Sequence, residues 1–432
     1  MPDQLMQFKA SRPLKVVMTL PIVLALFASW FVVRWYIGNT IAEYFHPDDH
    51  RLETAQMAVG LAPSDPLPHW RLGTFAQKEL PPDQISLAVS ELEKAVDLSP
   101  NDYRFWMDYG VALEQSGEME KAEQALRQAV KLAPTYAFPR WYLGNHLVRT
   151  DRYSEGFSEL QQASAANDQF QPQLFNLAWQ LNKDDFDGLQ SAVGATPGLR
   201  AEFARYLVER SHFDEGLRLW NTLNETQKME TRSTAELIVN SLIGAQHYYQ
   251  AMDIWNEIAP SLAYKAEPGH IIDRGFEDNL AHGPGAVFGW QVQSGPQVQI
   301  GIDAVQGHSG GRSLRLYFQV HSHINTINVS QLVPVKPDTD YDFECYVKTD
   351  KLESAETPVI QIVNAADDAA IVGSPSAPSG SNGWQRVSLT FKTGAKTEAI
   401  KVKMVRNSCA DSPVCPIFGT VWYDDFDLKA RK

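Results

Sequence analysis

Residues 102–168 repeat themselves. DYRFWMDYGVALEQSGEMEKAEQALRQAVKLAP runs directly into TYAFPRWYLGNHLVRTDRYSEGFSELQQASAAND, and the two halves align at an offset of 34. Gly110 meets Gly144, Leu113 meets Leu147, Ala122 meets Gly156, Leu126 meets Leu160 and Ala129 meets Ala163. Small residues recur where two antiparallel helices must cross closely. Trp106, Leu113, Leu126 and Leu160 are the large apolar residues that fill the groove between them. A single helical hairpin built this way cannot bury its own apolar face, so it must stack on a neighbour. The fold class of this segment is therefore an all-α solenoid.

With that period and those crossing residues, the segment resembles the tetratricopeptide repeat family. The pattern extends on both sides. Residues 48–63 look like the second half of a repeat, with Ala58 and Pro63 in the places of Ala95 and Pro100. The step from Ala58 to Ala95 is 37 (95 − 58), so three residues are inserted, assigned to Leu80–Gln84 with its Pro81 and Pro82. Phe175–Leu181 reads as another first helix, followed by a degraded second one and a Pro-Gly breaker in Ala195–Leu199. Pattern returns at Phe203–Leu223 and Leu237–Ile258, where Gly216 and Trp220 stand 35 residues before Ala251 and Trp255. The array thus spans residues 48–262, in about five to six hairpins. The resemblance implies a groove that binds a protein partner, with Asp108, Asn145, His146 and Arg149 facing it. For each of these, an ordinary solvated position is the competing reading, and the tryptophans read as core.

Ahead of the array lies Val16–Val33, an apolar run without a charge, which extends over residues 16–37 with Arg34 near its end. About 20 apolar residues span a bilayer. Lys9, Arg12 and Lys15 precede the run, whereas Glu43, Asp48 and Asp49 follow it, so the positive-inside rule puts residues 1–15 in the cytoplasm. The expectation is a signal anchor of a single-pass protein in a bacterial inner membrane, with everything beyond it periplasmic or otherwise extracytoplasmic. A cleaved signal peptide is the alternative. The net charge of −14, from 38 basic and 52 acidic residues, argues against nucleic acid as a partner.

Composition changes near Lys265. Short alternating runs separated by Gly, Pro, Asn and Ser replace the helical period, as in Ser313–Val320, Ile327–Val335, Tyr341–Thr349, Val359–Val363, Gln385–Lys392, Ile400–Val405 and Thr420–Leu428. Around eight strands at this spacing imply an antiparallel sandwich over residues 265–432. Leu314, Leu316 and Phe318 fall on one side of their strand and Arg315, Tyr317, Gln319 and His321 on the other. Together with His323, Gln331 and Tyr346 these outward residues form a stripe suited to glycan, since aromatic faces stack on sugar rings and fixed polar groups read hydroxyls. An ordinary polar strand face gives the same pattern. Ala365–Gly383 reads as a long loop.

The ordered motifs GFEDN (Gly275–Asn279), Gly289-Trp290, GHSGGRSLRL (Gly307–Leu316), QLVPVKPDTDYDFECYVK (Gln331–Lys348), Trp384 with Phe391, and VWYDDFDL (Val421–Leu428) resemble the galactose-binding-like jelly roll of family-four and family-nine carbohydrate-binding modules. That resemblance implies core positions for Trp290 and Trp384. It also implies a structural calcium held by Glu277, the turn at Gly307, and Asp424 or Asp425, an oxygen set that calcium favours. The alternative is that these acids bind turn amides. Cys409 and Cys415 flank a short loop and would form a disulfide in an oxidising compartment; two reduced thiols are the other reading.

No nucleophile elbow, phosphate loop, dinucleotide fingerprint or metal-hydrolase helix occurs in the sequence. Asp367-Asp368 and Asp424-Asp425 are adjacent acids expected on opposite strand faces, so neither makes an acid/base couple. The expectation is a non-enzymatic envelope scaffold that needs no cofactor, its repeats binding protein and its jelly roll binding glycan, in polysaccharide assembly or export. The rivals are a purely structural adaptor whose jelly roll sees no sugar, and an envelope enzyme with a convergent site.

Overall fold

The structure is a computed structural model. It describes residues 12–44, 52–79, 81, 84–259, 261, 264–277, 287–295, 297–319, 327–409 and 415–431, with backbone alone for 12–18. The chain divides into two compact units, residues 1–195 and 196–432.

The first unit is helical. It holds α1 (Arg12–Glu43), α2 (Leu52–Leu61), α3 (Pro66–Glu79), α4 (Ile85–Leu98), α5 (Tyr103–Gln115), α6 (Met119–Leu132), α7 (Ala137–Arg149), α8 (Tyr153–Ala166), α9 (Gln171–Asn182) and α10 (Phe186–Val193). The repeat glycines sit at the crossings. A Cβ built on Gly110 would lie 2.7 Å from Leu126 Cγ, and one on Gly144 the same distance from Leu160 Cγ. The three-residue insertion falls where the spacing puts it. Residues 80–84 separate α3 from α4, whereas residues 116–118 and 150–152 suffice for the next two hairpins, and α3 is one residue longer than α5 and α7 (14 against 13).

The half repeat at residues 48–63 has a first helix after all: the end of α1. That helix does not stop at residue 37 but runs to Glu43. A Cβ on Gly38 would lie 2.8 Å from Ala62 Cβ and 2.9 Å from the Ala58 carbonyl, the same close crossing as at Gly110. Asp65 fastens the joint. Its carboxylate accepts from the Trp35 indole (2.8 Å), from Asn39 Nδ2 (3.0 Å) and from the Leu67 amide at the start of α3 (3.0 Å). Arg71 Nε reaches back to the Ala42 carbonyl at 3.0 Å. Over Thr19–Glu43 the same helix is long and apolar enough to cross a membrane.

The second unit opens with α11 (Pro197–Glu209), α12 (Phe213–Trp220), α13 (Glu225–Glu230), α14 (Arg232–Gly244) and α15 (Tyr248–Ile258). The Pro-Gly pair read as a breaker starts α11, because proline is tolerated in a first helical turn. Trp220 and Trp255 are both fully buried. Among the described residues ten strands follow: β1 (Trp290–Gln293), β2 (Val298–Asp303), β3 (Ser313–Phe318), β4 (Asn328–Pro334), β5 (Asp340–Glu353), β6 (Val359–Asn364), β7 (Ala370–Gly373), β8 (Gly380–Lys392), β9 (Ala399–Val405) and β10 (Phe418–Ala430). They form two antiparallel sheets, β1-β4-β9-β6-β7 and β2-β3-β10-β5-β8. Phe276, Trp290, Phe343 and Phe426 fill the core between them. The segment read as a long loop, Ala365–Gly383, contains β7 and the start of β8. Four residues and a glycine-serine stretch at a sheet edge carry too little apolar alternation to announce themselves.

The last helix is clamped to the sandwich. The Trp255 indole donates to the Tyr264 carbonyl at 2.8 Å. The Asn256 side chain pairs with both backbone groups of Ala266, at 2.8 and 2.7 Å. The Tyr249 hydroxyl donates to the Val335 carbonyl at 2.7 Å.

Candidate functional site

The first helices α3, α5 and α7 present one row of side chains. Arg71, Asp108 and Tyr142 occupy the same repeat position, as do Thr74, Val111 and Asn145, and Lys78, Gln115 and Arg149. Two hollows lie along this row. One, of about 240 Å³, is lined by Trp70, Arg71, Phe75, Lys78 and Asp108. The other, of about 500 Å³, is lined by Glu114, Trp141, Tyr142, Asn145 and Arg149.

Asp108 stands between Trp70, whose indole donates to it at 2.6 Å, and the next repeat. Burial pushes its carboxyl above the usual range despite that bond and the nearby Lys78, Arg104 and Arg71. The Arg71 guanidinium lies 4.7 Å from the Trp70 ring centroid, a cation–π contact. In the second hollow Arg149 grips Glu114 with two bonds of 2.7 and 2.6 Å. Burial raises the Glu114 carboxyl, but Arg149 and His146 outweigh it and hold it below its ordinary value.

Of the four groove residues expected from the sequence, Asp108, Asn145 and Arg149 line these hollows. His146 does not. It is 1% exposed and turns behind Glu114, with Nδ1 at 3.1 Å from that carboxylate, because it falls on the face of α7 that packs inward. Trp70 and Trp141, read as core, line the hollows instead. The signal that finds them is the repeat offset itself: Trp70 and Trp141 are separated by 71 residues, the sum of the 37- and 34-residue steps.

In the sandwich, Arg315 and Tyr317 point outward from β3, Tyr317 being 39% exposed. Gln319 is exposed just beyond the strand; His321 and His323 lie outside the described residues. Gln331 departs from the expected stripe. It belongs to the other sheet, is fully buried, and bridges the amide (3.0 Å) and carbonyl (2.9 Å) of Ile272. Tyr346 is on the outer face of β5, but the His308 ring stacks on it at 3.6 Å between centroids and caps it. Trp384 is not core; it is half-buried with its ring 5.7 Å from His308. Next to Arg315, Trp422 donates to Asp303 at 2.9 Å and lies under the Lys348 amino group. The outer face of the other sheet carries an open cleft of about 490 Å³ lined by Gln291, Gln293, Asn328, Ser330 and Lys403, which strand alternation alone did not single out.

Glu277, Gly307, Asp424 and Asp425 do converge, on the turn 307–312. Asp424 accepts from the amides of His308 (2.6 Å), Ser309 (3.3 Å) and Asp425 (2.7 Å), and Glu277 accepts from those of Gly311 (3.0 Å) and Arg312 (3.2 Å). Asp425 contacts His308 Nδ1 at 2.6 Å and the Ser309 hydroxyl. Burial lifts the Asp424 carboxyl to about 6, against the amides that lower it. Among the described residues no three acidic, His or Cys side chains are grouped to hold a metal ion. In this structure the acids bind the amides and side chains of the turn. Asp424 and Asp425 also do not face apart. A bulge between Asp424 and Asp427, with Asp425 at φ +51°, brings both to one turn. Cys409 and Cys415 are joined, with Cα atoms 5.5 Å apart.

A tetratricopeptide repeat family model matches residues 83–137, which hold α4, α5 and α6. No curated protein sequence matches the chain. Among solved structures, MamA (residues 41 to the end) from Desulfovibrio magneticus RS-1 is similar at 22% identity and a TM-score of 0.27, over 32% of this chain and 75% of that one. YrrB, a TPR protein with an unusual peptide-binding site, is similar at 13% identity and a TM-score of 0.26, over 48% and 91% of the two chains. A CBM4 structure is similar at 12% identity and a TM-score of 0.30, over 38% of this chain and all of that one.

Proposed function

We propose that this protein is a non-enzymatic scaffold of a bacterial envelope, anchored in the inner membrane by α1 and holding a protein partner along α3, α5 and α7. The observation that carries the reading is the row of repeat-equivalent side chains that opens into two adjoining hollows, with Trp70 and Trp141 as apolar walls and Asp108 and Arg149 as polar anchors. Such a row suits an extended segment, which meets one repeat after another along its length. In the test, a photo-crosslinking residue replaces Thr74 or Asn145 in the full-length protein in its own membranes. A discrete adduct is expected at both positions, reduced at least about tenfold by Asp108→Ala with Arg149→Ala, equivalent to about 1.4 kcal/mol. Equal adducts with and without those substitutions would sink the proposal.

A second reading concerns the sandwich, which we take to bind glycan. Half-buried Arg315 and exposed Tyr317 on one sheet face and the amide-lined cleft at Gln291, Asn328 and Ser330 on the other support it. Side-chain amides and hydroxyls are neutral groups able both to donate to and accept from sugar hydroxyls.

A further inference from the structure

Arg406 is a fully buried charge, 2% exposed, at the end of β9. Its Nε donates to the Glu356 carbonyl at 3.1 Å. Its Nη2 lies 3.0 Å from the Ser354 hydroxyl oxygen, 3.0 Å from the Cys415 carbonyl and 3.1 Å from Cys415 Sγ. The Ser354 hydroxyl in turn donates to the Pro416 carbonyl at 2.8 Å. The guanidinium is thus fixed by oxygen acceptors on two chain segments while one of its N–H groups rests against one sulfur of the Cys409–Cys415 disulfide. The two sulfurs are not equivalent. Cys415 is 1% exposed, whereas Cys409 is half-buried.

We propose that this disulfide is a polarised thiol-exchange site, attacked at Cys409 and releasing Cys415 as a thiolate held by Arg406. The reactant class is an external dithiol. One of its thiolates bonds to Cys409 Sγ as the S–S bond breaks, and the electron pair of that bond leaves with Cys415 Sγ. The second external thiol loses its proton and attacks the mixed disulfide. It releases Cys409, which takes up a proton, and leaves the external dithiol oxidised to its disulfide. The protein gains two electrons and the external dithiol loses two. Burial in apolar surroundings would disfavour a thiolate at Cys415, but a fixed guanidinium in contact with the sulfur favours it, and a better-stabilised leaving thiolate departs faster. Cys345 is a different case. It is buried in the sandwich core, and burial raises its thiol far above the ordinary value, so it takes no part.

The test uses the full chain in detergent with Cys345→Ser, so that Cys409 and Cys415 are the two cysteines that remain. After brief exposure to glutathione and acid quenching, mass mapping should place the mixed disulfide on Cys409; an adduct mainly on Cys415 overturns the proposal. In the fully reduced protein the pH profile of alkylation should put Cys415 at least about one unit below an ordinary thiol near 8.5. Reduction by dithiothreitol should slow at least about threefold in Arg406→Met and recover in part in Arg406→Lys. An ordinary Cys415 profile, with no change in rate in a folded Arg406→Met, overturns it. If Arg406→Met does not fold, the adduct position and the alkylation profile of the unsubstituted residue decide.

Discussion

His69 shows how one residue can set a working range. Its Nδ1 lies 2.6 Å from Glu91 and its Nε2 lies 3.0 Å from the Pro63 carbonyl, so both ring nitrogens face acceptors and the ring is held as imidazolium. Burial lowers its pKa, but the Glu91 bond, the Pro63 bond and the Glu91 charge outweigh burial and leave it raised. For Glu91, burial raises the value, but His69 and Lys94 outweigh it and leave it lowered. The histidine's contribution is fully present below about 6.5 and is lost as pH rises through its raised folded value. The glutamate's is present above about 4.3 and is lost as pH falls through its depressed one. Thermal unfolding of the full chain should therefore show a plateau between those limits. His69→Gln should remove the upper limb and weaken the lower one, because Glu91 then loses the imidazolium that lowers it; an unchanged upper limb in that variant would refute the assignment. The two are not legible as a pair in the sequence, because the 21 residues between them include the insertion that breaks the repeat spacing. Gln331 and His146 failed as expected site residues for a related reason. Polar type alone does not distinguish a surface side chain from one buried to satisfy backbone or a neighbouring carboxylate.

Among the elements, α1 departs furthest from what its sequence announces. The apolar run is legible to residue 37 and hides the repeat spacing inside it, since Trp35 and Gly38 stand 35 residues before Trp70 and Gly73; the contacts with Ala58 and Ala62 show that Gly38 is a crossing glycine. Asp65 holds the arrangement with bonds to Trp35 and Asn39 while capping α3. Asp65→Ala should cost about 1–3 kcal/mol, the range for stranding a buried polar partner. Amide exchange should accelerate in α2 and at the start of α3, with α6 and α7 unaffected. Exchange that rises evenly through α2–α8, or not at all, would contradict a local joint. The strands were more legible than the helix ends. Leu314, Leu316 and Phe318 face the core as their alternation requires, whereas β7, with four residues, was hidden inside a segment rich in small residues.

For the whole molecule, the order of parts was legible from changes of period: an unbroken apolar run, then 34, then 2. The division of the parts was not. Helices α11–α15 group with the sandwich in residues 196–432, and the side chains that tie them, Tyr249, Trp255 and Asn256, bind backbone carbonyls and amides that no sequence pattern marks. These ties are what a purely structural reading would rest on, in which the sandwich closes the end of the array and meets no sugar. A glycan array probed with the full chain in detergent discriminates the two. Binding lost at least about tenfold in Tyr317→Ala or in Gln291→Ala with Asn328→Ala supports a sugar site on the corresponding face. No binding to any glycan leaves the structural role.

The unbroken course of α1 has a geometric meaning of its own. A chain with a loop between span and array can swivel; a chain with one helix through both cannot, except by bending that helix. Each residue of an α-helix turns the chain by about 100° and advances it about 1.5 Å. Under the proposed anchoring, the direction in which Trp70, Asp108 and Arg149 face around the bilayer normal would be tied to the angular phase at which α1 sits in the membrane. On that proposal, a partner in the same membrane would meet this protein at a bearing as well as at a height.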